Sequence, residues 1–214
     1  GSRSAFGLIA RPRLNDFYDQ VERLPEAWFN LNQRELGASG IYYESRNAAS
    51  FLRRQFDERR DPLPESYDAM RFDTLHQVNL PLKLGGILNL VPRAAYRGTH
   101  YSASREVRQE VETVSLTGTN ALGRAFAASS VRTNDVVRDA GAVFRNVLEF
   151  GFETSFKAFG TWTAADGTPW RHVVEPYANY TYIPEPDVRP AELYSFDAID
   201  AIDFTHQVRL GVRN

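Results

Sequence analysis

The residues of this sequence whose types could do chemistry are four histidines, a spaced run of aspartates, and a set of arginines alternating with apolar side chains. His76, His100, His172 and His206 occur singly. None has the H-x-x-x-H spacing that turns two imidazoles toward one metal, so a structural or interfacial role suits each better. Cysteine is absent, which removes a thiolate nucleophile, a thiolate metal site and a disulfide framework. No Gly-x-Ser-x-Gly elbow presents a serine nucleophile. Asp197, Asp200 and Asp203 repeat at every third position, without the alternation and glycine of a calcium loop. They read as a solvated acidic loop. Asn179-Tyr180-Thr181 matches a glycosylation sequon but falls inside a strand pattern. The arginines remain. Arg71, Arg93, Arg97 and Arg171, with Glu175 among them, stand on the polar side of alternating segments, and a guanidinium fork suits phosphate and carboxylate oxygens. The expectation is a protein that is not an enzyme, with no cofactor and no metal.

The elements that carry these arginines have a period of two. Around Lys83-Leu84-Gly85-Gly86, two runs form a hairpin over Ala69 to Ser102. In the first, Met70, Phe72, Val78, Leu80 and Leu82 share a face with Thr74 and His76. Arg71, Asp73, Gln77 and Asn79 share the other face, with Leu75. In the second, Leu88, Leu90, Pro92, Ala94 and Tyr96 oppose Asn89, Arg93, Arg97 and Thr99. Each run is about 14–16 residues, where strands of soluble proteins cluster near 5–6. Further strands are expected over Ser4 to Asp19, Leu24 to Gln33, Ile41 to Leu52, Phe144 to Thr163, Trp170 to Ile183 and Asp203 to Arg213. Short turns fall at 35–40, 83–86 and 164–169. Long connections fall near 54–66, 103–142 and 184–201. The connection 103–142 reads as a polar loop, with room for a short β run at Val111 to Leu116 or a helical turn near Ala121 to Ala128.

This pattern is all-β: an antiparallel up-and-down meander of about eight long strands, with tight turns at one end and long loops at the other. Outer-membrane barrels have that asymmetry. Residues 1–214 are therefore expected to be one segment of a large outer-membrane β-barrel, incomplete by itself. No run of about 18 apolar residues is present for a membrane helix. The 25 basic and 27 acidic residues nearly balance, so nucleic acid is not an expected partner. The mixed charges on the polar face would suit a wet lumen, which turns the apolar face toward lipid. Pro92 and Pro176, in mid-strand, call for bulges or weak pairing. Thr74 and His76 interrupt the apolar face and need shelter. Trp162 and Trp170 flank one short turn, as an interfacial belt or as plain packing.

Specific motifs sharpen this reading. Trp-Arg-His-Val-Val-Glu-Pro-Tyr-Ala-Asn-Tyr-Thr-Tyr-Ile-Pro, from Trp170 to Pro184, resembles the L-x-H-x-x-E-P-x-x-x-Y-x-Y-x-P strand of LptD, the lipopolysaccharide-assembly outer-membrane protein family. Trp170 stands where that pattern has Leu. Arg23-Leu24-Pro25-Glu26, Ile41-Tyr42-Tyr43-Glu44-Ser45, Phe72-Asp73-Thr74-Leu75-His76, Leu90 to Tyr101, Phe196-Asp197-Ala198-Ile199-Asp200 and Gln207 to Asn214 are similar to family segments in the same order. The resemblance implies transport of lipopolysaccharide to the outer leaflet in the outer membrane of a Gram-negative-type bacterium. In that family a periplasmic jellyroll receives the lipid. A large barrel, plugged by a lipoprotein partner, releases it between its first and last strands. The matched stretches correspond to the middle of that barrel, without jellyroll, gate strands or the family's cysteines. The implied partners are lipopolysaccharide, the plug lipoprotein and membrane lipids. On this resemblance Arg71, Arg93, Arg97 and Arg171 would contact phosphates of a passing headgroup or the partner, with Glu175 in the same lining. The plainer alternative is electrostatics of the wall itself. A general outer-membrane pore and a soluble β-rich binding module are the competing functions.

Overall fold

In the computed structural model, residues 3–119 and 124–214 are described. Alternating side chains make strands throughout: β1 (Ser4–Arg11), β2 (Gln20–Glu35), β3 (Tyr42–Gln55), β4 (Tyr67–Asn79), β5 (Leu82–Leu84), β6 (Leu88–Tyr101), β7 (Ser104–Thr119), β8 (Ala125–Ala140), β9 (Val143–Phe156), β10 (Ala158–Thr163), β11 (Pro169–Ile183) and β12 (Thr205–Arg213). The main sheet runs β1-β2-β3-β4-β6-β9-β11-β12, with β5 on β6 and β10 on β11. All its pairings are antiparallel. Among the described residues the sheet does not close on itself. The tight turns use glycines at positive φ, such as Gly85 (56°) and Gly86 (72°), a region that costs glycine nothing.

Two interruptions explain the mid-strand prolines. The pair β4–β6 ends at Asn79↔Arg93 and β5–β6 resumes at Leu82↔Leu90 in the same register. Pro92 and Pro81 sit in the gap, and the Pro92 carbonyl accepts from the Leu80 amide at 3.0 Å. In an antiparallel strand a residue's N–H and C=O point to the same side. The missing Pro92 donor therefore falls where the ladder is already broken. Likewise β9–β11 starts at Ser155↔Tyr177 and β10–β11 at Ala158↔Val174, which leaves Pro176 opposite the break. The expectation of weak pairing at both prolines holds. The single strand expected over Phe144 to Thr163 is accordingly two, β9 and β10.

The connection 103–142 is not a loop. It holds the long hairpin β7–β8, paired from Ser104↔Ala140 to Thr119↔Ala125. This continues the β6–β9 register, whose last pair is Tyr101↔Val143. Glu106, Arg108, Glu110 and Arg138 occupy one face, and Arg138 meets Glu110 at 2.7 Å. So polar a sequence hid the strands, because neither face of a solvent-exposed ribbon needs a continuous apolar stripe. Of the helical turn expected near Ala121 to Ala128, Ala121 to Gly123 lie outside the described residues, and Ala125 onward is strand β8.

The faces of the sheet are inverted relative to a water-soluble core. Phe72, Phe150 and Leu210 are 50%, 44% and 75% exposed, while Arg71 and Arg145 are 3% and 1% exposed. The buried set is mostly polar. Its apolar cluster is small: Leu52, Ala69, Tyr194 and Phe196. Tyr194 and Phe196 come from the segment 184–204 between β11 and β12, which folds back over the polar face at the long-loop end of the sheet. That face is called inner below.

Candidate functional site on the inner face

Strand parity sets every inner-face charge. Arg71 pairs across from Tyr101, Asp73 from Thr99, Asn79 from Arg93. Thr99 in turn faces Arg145 and Ala95 faces Glu149. The charges thus form a ladder from the long-loop end toward the tight turns.

At the top of the ladder, the segment 184–204 supplies the counter-charges. Arg71 donates to both Asp197 oxygens, at 2.8 and 2.7 Å, and to Asp200 at 2.9 Å. Tyr101 donates its hydroxyl to the same Asp200 oxygen at 2.8 Å. The other Asp200 oxygen accepts the amides of Phe196 and Asp197, at 2.7 and 2.9 Å. Arg145 donates to the carbonyls of Ile199, Asp200 and Ile202. Burial pushes the Asp197 carboxyl up, but hydrogen bonding and charge from Arg71, with the Ile199 amide and Arg23, outweigh it and hold the carboxyl below its ordinary value. Burial, then the hydrogen bond to Asp139, pushes the Tyr194 hydroxyl up to about 12. The expectation of a solvated acidic loop is therefore overturned for Asp197 and Asp200. Asp200 is only 1% exposed, because Arg71, the Tyr101 hydroxyl and two backbone amides take the place of water around its carboxylate. Asp203 alone stays exposed. Among the described residues no cluster of three acids, histidines or cysteines could hold a metal.

Lower down, Arg97 meets Asp73 at 3.2 Å, and Thr99 donates to the other Asp73 oxygen at 2.7 Å. Arg93 crosses two strands. It meets Glu149 at 3.2 Å, then reaches Asn179, the Tyr180 carbonyl and Thr181 at 3.1, 3.2 and 2.6 Å. It can do so because Gly151 lies beneath it. A Cβ there would stand 2.4 Å from the Tyr180 oxygen and 2.9 Å from the guanidinium. Below these, Arg213 bridges Glu153 (2.8 Å) and Glu175 (3.4 Å), and Lys157 meets Glu175 at 3.8 Å. Arg171 stands apart, exposed, 4.7 Å from the Phe159 ring. Of the five residues singled out by sequence, Arg71, Arg93 and Arg97 thus share one wall, each ion-paired, whereas Glu175 and Arg171 belong to the tight-turn end.

On the outer face the two misfits find partners. Tyr43 Oη lies 2.7 Å from His76 Nδ1, and His76 Nε2 lies 2.9 Å from Thr74 Oγ1, which donates to Asn47 at 2.7 Å. These bonds to β3 shelter both polar side chains on the apolar face. His206 packs edge-on against Tyr180 and Tyr182, and His172 meets Asn214 at 2.6 Å. The four histidines are not grouped.

This architecture, a meander with charges inside and aromatics outside, is what the motifs from Arg23 to Asn214 anticipate. The family model LptD, LPS transport system D, matches residues 12–207. The chain belongs to the LptD family. Among curated proteins no match was found. LptD membership ties the chain to lipopolysaccharide transport and assembly at the outer membrane, the work of a transport family rather than of an enzyme. Against that identity, sequence reasoning missed Tyr101, Arg145 and the roles of Asp197 and Asp200. The available signal was Leu193, Tyr194 and Phe196, three large apolar residues inside a supposed solvated loop.

Proposed function

We propose that this chain is a stretch of wall in an LptD-type outer-membrane barrel, with the outer face toward lipid and the inner face toward the path of lipopolysaccharide. The observation that carries this is the inversion of the faces: phenylalanines and leucines lie outward on strands whose arginines and aspartates are buried. Long strands with tight turns at one end add support. The tight turns then lie on the periplasmic side, and the β7–β8 hairpin and the segment 184–204 on the cell exterior. Arg71, Arg93, Arg97, Arg171 and Glu175 line the lumen, where they contact phosphates of the passing headgroup or the plug lipoprotein. Arg93 and Arg97 sit at mid-height, and their exchangeable ion pairs suit transient anion contacts.

Spin labels at Phe150 and Phe152 against Glu149 and Glu153, in bilayers, test the orientation. Labels at the Phe positions should respond to lipid-soluble relaxers and those at the Glu positions to water-soluble ones. The reverse result, with a chain that stays monodisperse without detergent, leaves a soluble module. Photo-crosslinkers at 93, 97 and 171 in the full-length protein test the cargo. Adducts with lipopolysaccharide above outward-facing controls are expected, and their absence reduces the reading to a general outer-membrane pore.

A further inference from the structure

The inner wall at the exterior end carries two guanidinium groups whose hydrogen bonds go to one partner, the segment 184–204. Arg71 gives its fork to Asp197 and a third bond to Asp200. Arg145 gives its bonds to three carbonyl oxygens of 199–202, and its Nε, buried, has no partner. The acids of the wall itself are engaged elsewhere. Asp73 belongs to Arg97 and Thr99. Glu26 belongs to Arg23 and Ser50. Lifting the segment would leave Arg71 beside the Tyr101 hydroxyl, and Arg145 one rung lower beside Thr99, without a counter-anion. Two carboxylates of the segment, Asp197 and Asp200, supply that missing charge.

The rest of the segment is tethered on either side of these carboxylates. Arg54 and Tyr67 donate to the Ser195 carbonyl at 3.1 and 2.9 Å, Asn146 donates to both Asp187 oxygens at 2.7 and 2.6 Å, Arg23 meets Asp197 at 3.4 Å and Tyr194 donates to Asp139. Its apolar grip is Leu193, Tyr194 and Phe196 on a patch centred on Leu52 and Ala69. With those tethers in place, the stretch 197–202 can exchange its carboxylates for another anion of like geometry. A phosphate group offers the same paired oxygens to an arginine fork.

We infer that the strap 184–204 is a built-in substitute for a phosphate ligand: Asp197 and Asp200 occupy an anion site formed by Arg71 and Tyr101, next to which Arg145 holds the strap's carbonyls, and a phosphate monoester displaces the carboxylates, takes up the freed Arg145 and lifts the strap over 197–202. This deepens the proposed function, on which the identity of the exterior end rests. The site then couples strap opening to the arrival of phosphate. A strap open in about 1% of molecules needs a ligand that favours the open state by about 10²-fold to become half open.

The test uses the full-length protein in phosphatidylcholine nanodiscs, with Ala198→Cys and Ala142→Cys carrying spin labels. Both positions are exposed. Three additions are compared: a bisphosphorylated glycolipid, the same glycolipid dephosphorylated, and inorganic phosphate in solution. A longer-distance population with the phosphorylated glycolipid and not with the dephosphorylated one is expected. Its appearance with inorganic phosphate as well assigns the site to phosphate in general, and its absence there assigns it to the headgroup. Arg145→Gln should abolish the response. Opening by the dephosphorylated lipid, or no opening in any arm, overturns the inference, and either result leaves the crosslinking at 93 and 97 free to stand or fall by itself. Asp200→Asn provides the open reference distance. Where that variant fails to fold, the three ligand arms on the labelled parent still decide.

Discussion

Asp200 carries four hydrogen bonds on one buried carboxylate. One carboxylate satisfies Arg71, Tyr101 and two backbone amides, away from water. Removing its charge leaves Arg71 buried with less compensation, and losses of this kind cost about 3–5 kcal/mol. Asp200→Asn should lower unfolding stability by that order in denaturant titrations of the reconstituted protein. Combining it with Arg71→Met should recover part of the loss, since the orphaned cation goes too. The pH response has a definite sign. The folded-state carboxyl of Asp197 lies below its ordinary 3.8, so its contribution is complete above that value and drains away as pH falls through the lower, folded one. The Tyr194 hydroxyl is shifted the other way, from 10.0 to about 12. Its contribution is complete below pH 10 and is lost as pH rises toward 12. Label mobility at Ala198 should therefore rise at both extremes and stay flat between them. Gly151 makes a different prediction. Gly151→Ala drives a methyl into the Tyr180 carbonyl and the Arg93 guanidinium, and overpacking of this sort costs about 1–3 kcal/mol. Unfolding titrations should show that loss, and Arg93→Ala in the same background should relieve some of it.

At the scale of elements, the β7–β8 hairpin is an extension of the wall rather than part of it. Its register continues that of β6–β9 across Ser102 and Ala103 on one side and Gly141 and Ala142 on the other. An isolated two-stranded ribbon is marginal in water, and this one is steadied at its base. Arg105 lies 5.0 Å from the Tyr194 ring and 5.5 Å from the Tyr67 ring, and Tyr194 donates to Asp139. Deleting residues 106–138 behind a two-residue turn should leave the β content of the sheet intact by circular dichroism, because the β6–β9 ladder is complete at Tyr101↔Val143. Deleting 104–140 removes Arg105 and Asp139 as well, and should loosen the strap, read as faster amide exchange over 193–200.

For the molecule as a whole, the two faces answer to two solvents. An arginine placed on the lipid side of a barrel costs about 2–4 kcal/mol at mid-membrane. Phe150→Arg should show that loss in unfolding from lipid vesicles. Gln77→Arg, on the inner face beside Asn79, should change stability by less than about 0.5 kcal/mol. Equal effects at the two positions would mean that both faces meet the same medium.

Alternation by itself determined most strands of the main sheet, their antiparallel order, the tight-turn end and the side on which Arg71, Arg93 and Arg97 stand, because a period of two leaves each side chain one face to occupy; it did not reveal the polar β7–β8 hairpin. The order of motifs from Arg23 to Asn214 determined the family. The rest depended on contacts between residues far apart in the chain. Nothing local distinguishes an aspartate in water from Asp200, whose partners Arg71 and Tyr101 lie 129 and 99 positions away. The shelter of His76 and Thr74 depended on Tyr43 and Asn47 arriving from the next strand, and the reach of Arg93 on a glycine in the strand that separates it from Asn179 and Thr181. Tertiary structure decided that the acidic loop is a strap, since only the folded sheet sets Arg71 and Arg145 on either side of β6 with no wall acid paired to them.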